Sequence, residues 1–353
     1  MRKIQDANLE NKKVLLRVDF NVALENGKVK EKFKIEACKE TVRFLLEKNC
    51  KVALISHLGR PSFAKATAGK PKGFDESLSL LQLKDDAENI LGKKIKFISD
   101  CIGEERMSSL ENLADGEIIL LENVRFYAGD ENNEAEFSKK LSAGFDIFVN
   151  DAFSASHRDH ASVSGVAKLI PSFAGLRLQK EIEEMEKIKN DFAHPAVAII
   201  GGAKIETKLP VIKFFEEKYD NILVGGKIAN EALDQKKEFS EKVILPFDFI
   251  DDRLDIGSKT LEKFKEIISR AKTIVWNGPT GKFEDEKYAV SSNEILKTVL
   301  DSGAYTVVGG GETLEILEKN NATDKIDFVS TGGGAMLDYL GGGEMPGILC
   351  LKD

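Results

Sequence analysis

The sequence predicts an α/β protein of two domains, each with a mainly parallel β-sheet flanked by helices, joined by a bridging helix. Three observations support this prediction. The chain has 353 residues, which is more than a single core usually accommodates. In both halves, short apolar stretches alternate with amphipathic ones, a pattern typical of parallel sheets with right-handed crossovers. A mostly charged segment with helical spacing separates the two halves.

In the first half, apolar stretches predict strands at Val14–Val18, Val52–Ser56, Ile118–Leu121 and Phe145–Asn150. Amphipathic stretches between them predict helices at Ile35–Glu47, Leu78–Leu91 and Ala135–Ala143. The segment Pro61–Phe74 is rich in Pro, Gly, Ala and Lys, so we expect a structurally inert, mobile surface loop there. These elements form the first predicted domain, residues 1–174.

The bridging helix is predicted at residues 175–190. Four apolar side chains in this segment are spaced to share one helical face: Leu178, Ile182, Met185 and Ile188. Residues 191–338 then repeat the alternation and form the second predicted domain. The predicted strands there are Ala196–Ile200, Ile222–Val224, Thr273–Trp276, Thr306–Val308 and Asp327–Ser330.

The composition indicates a globular protein. With 42% hydrophobic and 31% charged residues, the chain can build full cores. The net charge of −8 disfavours nucleic acid or an acidic membrane as the main partner, although a local cationic cluster can still bind a small anion. No stretch approaches the ~18 apolar residues that a membrane span needs, and the first residues show no apolar signal region.

The cysteines predict neither a disulfide framework nor a zinc site. None of the four has CxxC spacing, and the chain has only four His, so reduced, buried thiols are expected. These observations predict a cytoplasmic protein without a nucleic-acid or membrane partner. Nothing in the sequence demands more than a monomer.

Arginines end or follow four strands of the first half: Arg17, Arg60, Arg125 and Arg158. Ligands of an open α/β sheet bind beyond the carboxyl ends of its strands, so these side chains are expected to converge. The planar fork of arginine binds phosphate or carboxylate bidentately, and His57 and His157 could add donors beside two of the arginines. Alternatively, the arginines form surface ion pairs. Arg17 lies inside its strand and is expected to be structural.

Asp19 and Asn21 offer a carboxylate and an amide at the same edge, in the sequence RVDFN. They are candidates for binding the hydroxyl groups of a small substrate. Alternatively, they are turn residues that end a strand.

Four strands of the second half run directly into glycines and then into a helical stretch. The segments are AVAIIGGAK (196–204), NILVGGK (221–227), YTVVGGGET (305–313) and DFVSTGGGAM (327–336). Glycine lets backbone N–H groups approach an anion closely, and a helix N-terminus adds partial positive charge. Four such turns predict a phosphate-rich ligand along one edge of a sheet. The Walker A and GxGxxG patterns are absent, which disfavours P-loop NTPases and standard NAD-dependent dehydrogenases.

In the first glycine turn, Pro210 is expected in the first turn of a helix, with Thr207 as its N-cap and Lys208 at its first position. A lysine at a helix N-terminus opposes the dipole unless it faces an anion, so Lys204 and Lys208 are candidate phosphate ligands. Alternatively, Glu206 offsets their charge.

Glu312 and Thr313 directly follow the glycines of the third turn. A carboxylate there could meet Mg²⁺ carried by a nucleotide, because Mg²⁺ prefers one or two carboxylates together with phosphates. Alternatively, Glu312 is a first-turn acid favoured by the helix dipole. In WNGPTGKFE, Asn277 and Glu284 are candidate contacts to a ribose or base, although a plain turn would look similar.

Taken together, eight motifs resemble the phosphoglycerate kinase family over nearly the whole chain. In order, they are RVDFN, SHLGRP, LLENVRF, NDAFSASHRDHAS, GGAKIETK, WNGPTGKFE, VVGGGET and STGGGA. The resemblance implies two Rossmann-like domains joined by a helix, with the C-terminal tail, residues 339–353, packed back on the first domain. It also implies reversible phosphoryl transfer from 1,3-bisphosphoglycerate to MgADP, giving 3-phosphoglycerate and MgATP in glycolysis or gluconeogenesis, with hinge closure near residues 175–190.

The same resemblance implies that the first domain binds the phosphoglycerate and the second binds ADP or ATP with Mg²⁺. The phosphoglycerate ligands would be Asp19, Asn21, Lys34, His57, Arg60, Arg125 and Arg158. The nucleotide ligands would be Gly202, Ala203, Lys204, Lys208, Gly225, Gly226, Asn277, Pro279, Glu284, Gly310, Gly311, Glu312 and Thr313, with Asn277, Pro279 and Glu284 around the ribose and base. The catalytic residues would be Lys34, Lys204, Gly311 and Gly334, with the helix start at Gly333 and Gly334 facing the phosphates and Glu312 contacting Mg²⁺.

The sequence departs from the family pattern in three places. Lys34 stands where the family has a catalytic arginine, so the charge is kept and the planar fork is lost. Glu312 stands where the family has an aspartate, one methylene shorter. The second glycine turn reads GGK instead of three glycines, and residues 227–245 form a shortened stretch that bears on the adenine pocket. The alternative is a catalytically weakened homologue that binds a triose phosphate or a nucleotide.

Overall fold

The computed structural model of the protein describes residues 1–25, 27–62 and 71–352. It divides into two compact units, Met1–Glu181 with Met345–Asp353, and Ile182–Glu344. Each unit contains a six-stranded sheet whose neighbouring strands pair in parallel. The predicted α/β class with two parallel sheets flanked by helices is confirmed. The bounds of the predicted domains remain predictions.

The described residues of the first unit form eight strands: β1 (Lys13–Arg17), β2 (Leu24–Glu25), β3 (Lys28–Val29), β4 (Lys51–Ile55), β5 (Ile95–Ile98), β6 (Ile118–Leu121), β7 (Ile147–Asn150) and β8 (Ser172–Ala174). Its helices are α1 (Phe33–Ala37), α2 (Lys39–Glu47), α3 (Lys84–Leu91), α4 (Glu104–Glu111), α5 (Ala128–Glu131) and α6 (Ala135–Ser142). The sheet order is β5-β6-β4-β1-β7-β8, and β2 and β3 form a separate hairpin.

Both faces of this first sheet are covered. Val14 and Leu16 of β1 belong to one apolar cluster, whereas Leu15 belongs to another on the opposite face. Successive side chains of a strand point to opposite faces, so a continuous apolar stretch is what a doubly covered parallel strand requires. This explains why the sequence predicted the central strands.

Helix α7 (Leu176–Asn190) begins in the first unit and ends in the second. Of its predicted apolar face, Leu178, Met185 and Ile188 are fully buried. At its start, the backbone N–H of Leu178 donates to Oδ1 of Asp151, and that of Leu176 donates to Oγ1 of Thr41. These two side chains satisfy amides that a helix N-terminus leaves unpaired.

The second unit contains strands β9 (Ala196–Ile200), β10 (Asn221–Val224), β11 (Val243–Ile244), β12 (Phe249–Ile250), β13 (Asp255–Ile256), β14 (Thr273–Asn277), β15 (Tyr305–Gly309) and β16 (Phe328–Ser330). Its helices are α8 (Leu209–Lys218), α9 (Gly226–Asp234), α10 (Ser258–Ile268), α11 (Val290–Ser302), α12 (Gly311–Lys319) and α13 (Gly333–Leu340). The sheet order is β11-β10-β9-β14-β15-β16, and β12 and β13 form a separate antiparallel pair.

The C-terminal residues belong to the first unit, and they include the short helix α14 (Pro346–Leu349). The backbone N–H of Gly347 donates to the carbonyl of Ser156, and Nδ2 of Asn150 donates to the carbonyl of Gly347 at 3.0 Å. At the other end of the chain, the N–H of Arg2 donates to the carbonyl of Leu351. Within the described ranges, no helix is long and apolar enough to cross a membrane.

Two predicted helices differ from the structure. The helix expected at 35–47 is divided at Cys38, which ends α1 with φ −88° and ψ −3° and precedes α2. The helix expected at 78–91 becomes α-helical only from Lys84, after a 3₁₀ turn at Leu80–Leu83. Of the loop predicted at 61–74, residues 63–70 lie outside the described part of the chain. At its far end, the ring of Phe74 packs edge-on against Phe126 at 5.2 Å.

Candidate active site

The predicted substrate residues of the first unit follow the carboxyl ends of four adjacent strands. Asp19 and Asn21 come after β1, and His57 comes after β4. Arg125 lies in a 3₁₀ turn after β6, and Arg158 follows a similar turn after β7. Because β6, β4, β1 and β7 are neighbours in a parallel sheet, these side chains meet at one edge.

Hydrogen bonds to Gly59 join the connections that follow β1, β4 and β6. Oδ1 of Asn21 accepts from the N–H of Gly59 at 2.9 Å, and Nη1 of Arg125 donates to the carbonyl of Gly59 at 2.7 Å. Gly59 has φ +61°, a region that favours glycine. Arg60, the next residue, is exposed.

Lys34 in α1 is bound to the turn after β1. Its Nζ donates to the carbonyl of Asn21 at 3.0 Å and lies 3.4 Å from Oδ2 of Asp19. The other oxygen of Asp19 accepts from the N–H of Asn21 at 3.1 Å. Lys34 therefore lies beside two predicted substrate ligands.

The basic groups at this edge act on one another's pKa values. Burial, followed by the charges of Arg17, Arg125, Arg158 and Lys34, holds the pKa of His57 well below its usual range. Burial also lowers the pKa of Arg125 to about 10, with further lowering by Arg158 and Arg17. We call these five residues (Arg17, Lys34, His57, Arg125 and Arg158) the cationic cluster. Such a cluster is stabilised when an anion enters it.

The sequence did not reveal every member of this region. Arg17 was expected to be structural; it is buried and donates to the carbonyl of Val18, and its Nη2 also lies 2.9 Å from Nδ1 of His57. Asp130 is fully buried, accepts from the N–H of Ser162 and favours the charged forms of Arg17 and Arg125. A charged residue that ends an otherwise apolar strand is the signal that could have identified Arg17. His157, the predicted extra donor, accepts from Nε of Arg158 at 3.1 Å.

In the second unit, three of the four glycine turns meet at the carboxyl edge of the sheet. A Cβ at Gly333, in the fourth turn, would lie 2.3 Å from Cα of Gly310 in the third. A Cβ at Gly201, in the first turn, would lie 2.0 Å from the carbonyl O of Pro279, in the connection after β14. Since real Cβ atoms do not approach this closely, the turns can touch only as glycines. The glycines therefore serve the close approach of the backbones.

These turns enclose a small cavity of ≈ 170 Å³, here called the glycine cavity. Helices α12 and α13 both begin at it, so two positive helix ends face the same space. Its lining consists of Gly201, Gly202, Lys208, Asn277, Gly278, Gly310, Gly311, Glu312, Thr313, Gly333 and Gly334. This arrangement of amides and helix ends suits a phosphate chain.

Lys208 is the cation of the glycine cavity. Its Nζ donates to Oδ1 of Asn277 at 3.0 Å, and Nδ2 of Asn277 donates to the carbonyl of Gly333 at 3.3 Å. Burial lowers the pKa of Lys208 to about 8, although Glu312 and Asp338 oppose this shift. Asn277 was expected around the ribose and base. In the structure it lines the glycine cavity and accepts the hydrogen bond from Lys208.

The cap predicted for helix α8 is wrong, whereas the position of Pro210 in its first turn is confirmed. The N-cap is Lys208, because residues Ile205–Thr207 form a separate 3₁₀ turn. Oγ1 of Thr207 donates to the carbonyl of Lys204 at 2.8 Å within that turn. Lys204 precedes the turn and is exposed.

A larger cleft of ≈ 360 Å³, here called the base cleft, adjoins the glycine cavity and shares Gly202 and Glu312 with it. Its lining is Gly202, Ala203, Gly226, Lys227, Asn230, Asp252, Arg253, Leu254, Pro279, Gly281, Lys282, Phe283, Glu284 and Glu312. Pro279 and Glu284 lie here, as expected for contacts near a ribose or base.

Two neighbouring glycines of the second turn differ in role. Gly226 lines the base cleft, whereas Gly225 lines neither cavity. A Cβ at Gly225 would lie 2.7 Å from Cβ of Thr280, so packing requires this glycine. In the third turn, Oγ1 of Thr313 accepts from the N–H of Gly278 at 2.7 Å, which fixes the turn after β14.

Glu312 is the acidic group shared by both cavities. Burial, and then the like charge of Glu284, raise its pKa, whereas Lys208 and Lys227 oppose this shift. A divalent cation would relieve the repulsion between these carboxylates. Among the described residues, no group of three or more His, Cys, Asp or Glu could hold a metal by itself. The donor set therefore fits Mg²⁺ that arrives on phosphates and gains one or two carboxylates.

Comparison with known proteins gives consistent matches over the full chain. The family model described as "Phosphoglycerate kinase" matches residues 4–246 and 234–343. A phosphoglycerate kinase of Dictyoglomus turgidum is 38% identical over 397 residues, covering 99% of this chain and 98% of the relative. One of Borreliella burgdorferi is 36% identical over 393 residues, with 98% of each covered.

Solved structures give the same result. The crystal structure of phosphoglycerate kinase from Pyrococcus horikoshii matches with a TM-score of 0.87 and 30% identity. That from Coxiella burnetii matches with a TM-score of 0.80 and 32% identity, and in both cases 99% of this chain and 98% of the other are covered. The two matched segments of the family model overlap at 234–246, and all but the last residue of this overlap belongs to the stretch 227–245 that was predicted to be shortened.

Proposed function

The chain belongs to the phosphoglycerate kinase family, and from this premise we propose how its residues carry out the family's reaction. The reaction is reversible transfer of a phosphoryl group from 1,3-bisphosphoglycerate to MgADP, giving 3-phosphoglycerate and MgATP. The observation that supports the assignment of residues is the division of labour between the two units. One holds a compact cationic cluster, and the other holds a cavity of backbone amides and helix ends joined to a base cleft.

The phosphoglycerate binds at the cationic cluster. Its phosphate and carboxylate, or acyl phosphate, need donors and positive charge, which Arg125, Arg158 and His57 supply. Lys34 places a further cation beside Asp19, whose carboxylate is suited to accept the hydroxyl of the triose. Arg60 is exposed at the same edge and completes the proposed set.

The nucleotide binds with its base and ribose in the base cleft and its phosphates in the glycine cavity. The two spaces share Gly202 and Glu312, so one ligand can occupy both. Leu254 and Phe283 give the cleft apolar contacts for a base. Lys208 and the first-turn amides of α12 and α13 receive the phosphates.

Glu312 is the proposed protein ligand of the nucleotide's Mg²⁺, with Glu284 as the second acidic group nearby. When bound, the cation neutralises charge on the phosphate oxygens. The glutamate is one methylene longer than the family aspartate, so a water can stand between carboxylate and cation.

In the direction of ATP consumption, a carboxylate oxygen of 3-phosphoglycerate attacks the γ-phosphorus of ATP. The bond from that phosphorus to the β–γ bridging oxygen breaks, and ADP leaves with the electron pair. Lys204, Lys208 and the N–H groups at Gly311 and Gly334 stabilise the charge on the transferring phosphoryl group. No covalent enzyme intermediate is required, so positioning and charge stabilisation provide the catalysis.

The alternative of a weakened, non-catalytic homologue depended on Lys34 and Glu312 alone. Lys34 contacts the turn that carries Asp19 and Asn21, and Glu312 lines both nucleotide spaces. The comparisons give no support to a non-catalytic member.

A coupled assay with 3-phosphoglycerate and MgATP tests the proposal. The chain should turn over both substrates. Lys204→Ala should reduce kcat strongly, because it removes a cation that is proposed to stabilise the transferring phosphoryl group. The fold should be retained, because the side chain of Lys204 is exposed. The matched control is Lys213→Ala, an exposed lysine on α8, which should leave kcat unchanged. Turnover no higher than that of Lys204→Ala would refute an enzymatic function.

A further inference from the structure

A buried contact at the cationic cluster joins Arg17 to His57. Nη2 of Arg17 lies 2.9 Å from Nδ1 of His57, and the two residues are 1% and 6% exposed. Nη1 of the same guanidinium donates to the carbonyl of Val18 at 2.8 Å and faces that of Ile55 at 3.4 Å. The ends of two neighbouring strands, β1 and β4, therefore fix the guanidinium in place.

The chemistry of arginine decides the state of the imidazole. A guanidinium has five N–H donors and no acceptor, and it stays protonated at any pH at which a protein is folded. The ring nitrogen that it faces must therefore offer a lone pair. For His57 this leaves one proton on the ring, at Nε2. A doubly protonated ring would place Nδ1–H against Nη2–H in a buried setting, where water cannot screen the repulsion.

We propose that Arg17 is a positioning residue that holds His57 as the neutral Nε2–H tautomer, so that the ring offers the substrate an N–H donor instead of a lone pair. The substrate in question is the phosphoglycerate, so the inference rests on the proposed function. An anionic oxygen needs a donor, and the opposite tautomer would place a lone pair against it.

The groups around the ring act in the same direction. Arg125 after β6, Arg158 after β7 and Lys34 on α1 all oppose a positive charge on His57. Asp19 and Asp130 instead favour the charge on Arg17. The ring is thus kept neutral while the arginine is kept charged, and the donor does not titrate in the range where an ordinary histidine does.

The direct test is NMR of the full-length protein labelled with ¹⁵N in its histidines, without substrate. The chain has four histidines, so loss of one set of signals in His57→Gln assigns the ring. We expect one proton, on Nε2, at pH 7 and also at about pH 6.5, where an ordinary histidine is half protonated. A ring protonated at Nδ1, or at both nitrogens near pH 7, would overturn the proposal. This readout needs no turnover, so it is independent of the proposed reaction.

Arg17→Met then tests cause. Without the facing donor, His57 should populate both tautomers, and its pKa should rise toward its usual range. Arg158→Met removes a nearby cation without removing the contact to Nδ1, so it should raise the pKa and leave the Nε2–H tautomer intact. An unchanged tautomer in Arg17→Met would refute the role of Arg17. Should that variant fail to fold, Arg17→Lys, which also presents only donors, must retain the wild-type tautomer.

Kinetics separate positioning from a general structural role. Glutamine can donate from an atom near the position of Nε2 and has no tautomers. In wild type, Arg17→Met should raise KM for 3-phosphoglycerate about tenfold while KM for MgATP is unchanged. In the His57→Gln background, the same change should have a much smaller effect. Equal effects in both backgrounds would show that Arg17 acts through the fold and not through the ring.

Discussion

Lys208 should make nucleotide affinity depend on pH in a range where most side chains do not titrate. In the free protein, burial lowers its pKa to about 8. A bound phosphate chain raises that pKa again, because an adjacent anion favours the charged amine. Binding therefore takes up a proton, and affinity falls as the pH rises through about 8.

The magnitude follows from the fraction of Lys208 that is charged before binding. With a pKa of about 8, this fraction is about 0.9 at pH 7 and about 0.1 at pH 9. If the bound lysine stays charged throughout, the apparent Kd for MgADP should rise about tenfold over this interval, or about 1.4 kcal/mol. Half of the change in the logarithm of the apparent Kd should have occurred near pH 8.5.

Isothermal titration calorimetry with MgADP, in pairs of buffers with different ionisation enthalpies, measures both the Kd and the proton uptake. Lys208→Met should bind more weakly at pH 7 and lose the dependence between pH 7 and 9. Lys213→Met, on the exposed face of the same helix, should behave as wild type. A wild-type Kd that is constant from pH 7 to 9, or a slope that persists in Lys208→Met, would refute the reasoning.

Four further predictions concern single substitutions. Gly334→Ala should leave the stability unchanged or raise it by up to about 1 kcal/mol, since no heavy atom of a neighbouring residue lies within 4 Å of the new Cβ. Its kcat should nevertheless fall at least about tenfold, because the methyl group crowds the amides that face the phosphates. Gly333→Ala should instead lower the free energy of unfolding, because its Cβ would meet Gly310 at 2.3 Å; equal stabilities of the two variants in urea would contradict this. Lys34→Arg should raise kcat by restoring a planar fork, and an unchanged or lower kcat would show that the site is adapted to lysine. Burial raises the pKa of Asp151 to about 6, so this carboxyl holds its proton more tightly in the folded chain than in the unfolded chain. Its ionisation should therefore lower the free energy of unfolding by up to about 3 kcal/mol as the pH rises from about 4 to 6. Urea titrations of Asp151→Asn should lack this slope.

The interior strands could be predicted from sequence, but most of the edge strands could not. Strands such as β1, β9 and β14 are buried on both faces, so their sequences are continuous apolar stretches. Within the two six-stranded sheets, the missed strands β5, β8 and β11 are all edges. In β5, two of four residues are at least partly exposed, and β11 has only two residues. Such segments do not differ enough from loops in sequence.

The candidate site divides in a similar way. Which residues gather at a sheet edge was predictable, because connectivity alone brings the carboxyl ends of parallel strands together. The hydrogen-bond partner of each side chain was not predictable. The bond from Lys208 to Asn277, the pairing of Arg17 with His57 and the 3₁₀ turn that removed Thr207 from the cap all depend on side-chain geometry and local backbone. Spacing along the chain carries no information on these choices.

The assignment of one substrate to each unit is tested most directly by steady-state kinetics of two variants, with both substrates varied. Arg158→Met should raise KM for 3-phosphoglycerate by about 10- to 100-fold, the usual range for a lost charged hydrogen bond, and leave KM for MgATP within about twofold. Lys208→Met should do the reverse. If each variant raised both KM values equally, or if Arg158→Met affected only MgATP, the cationic cluster would not be the phosphoglycerate site.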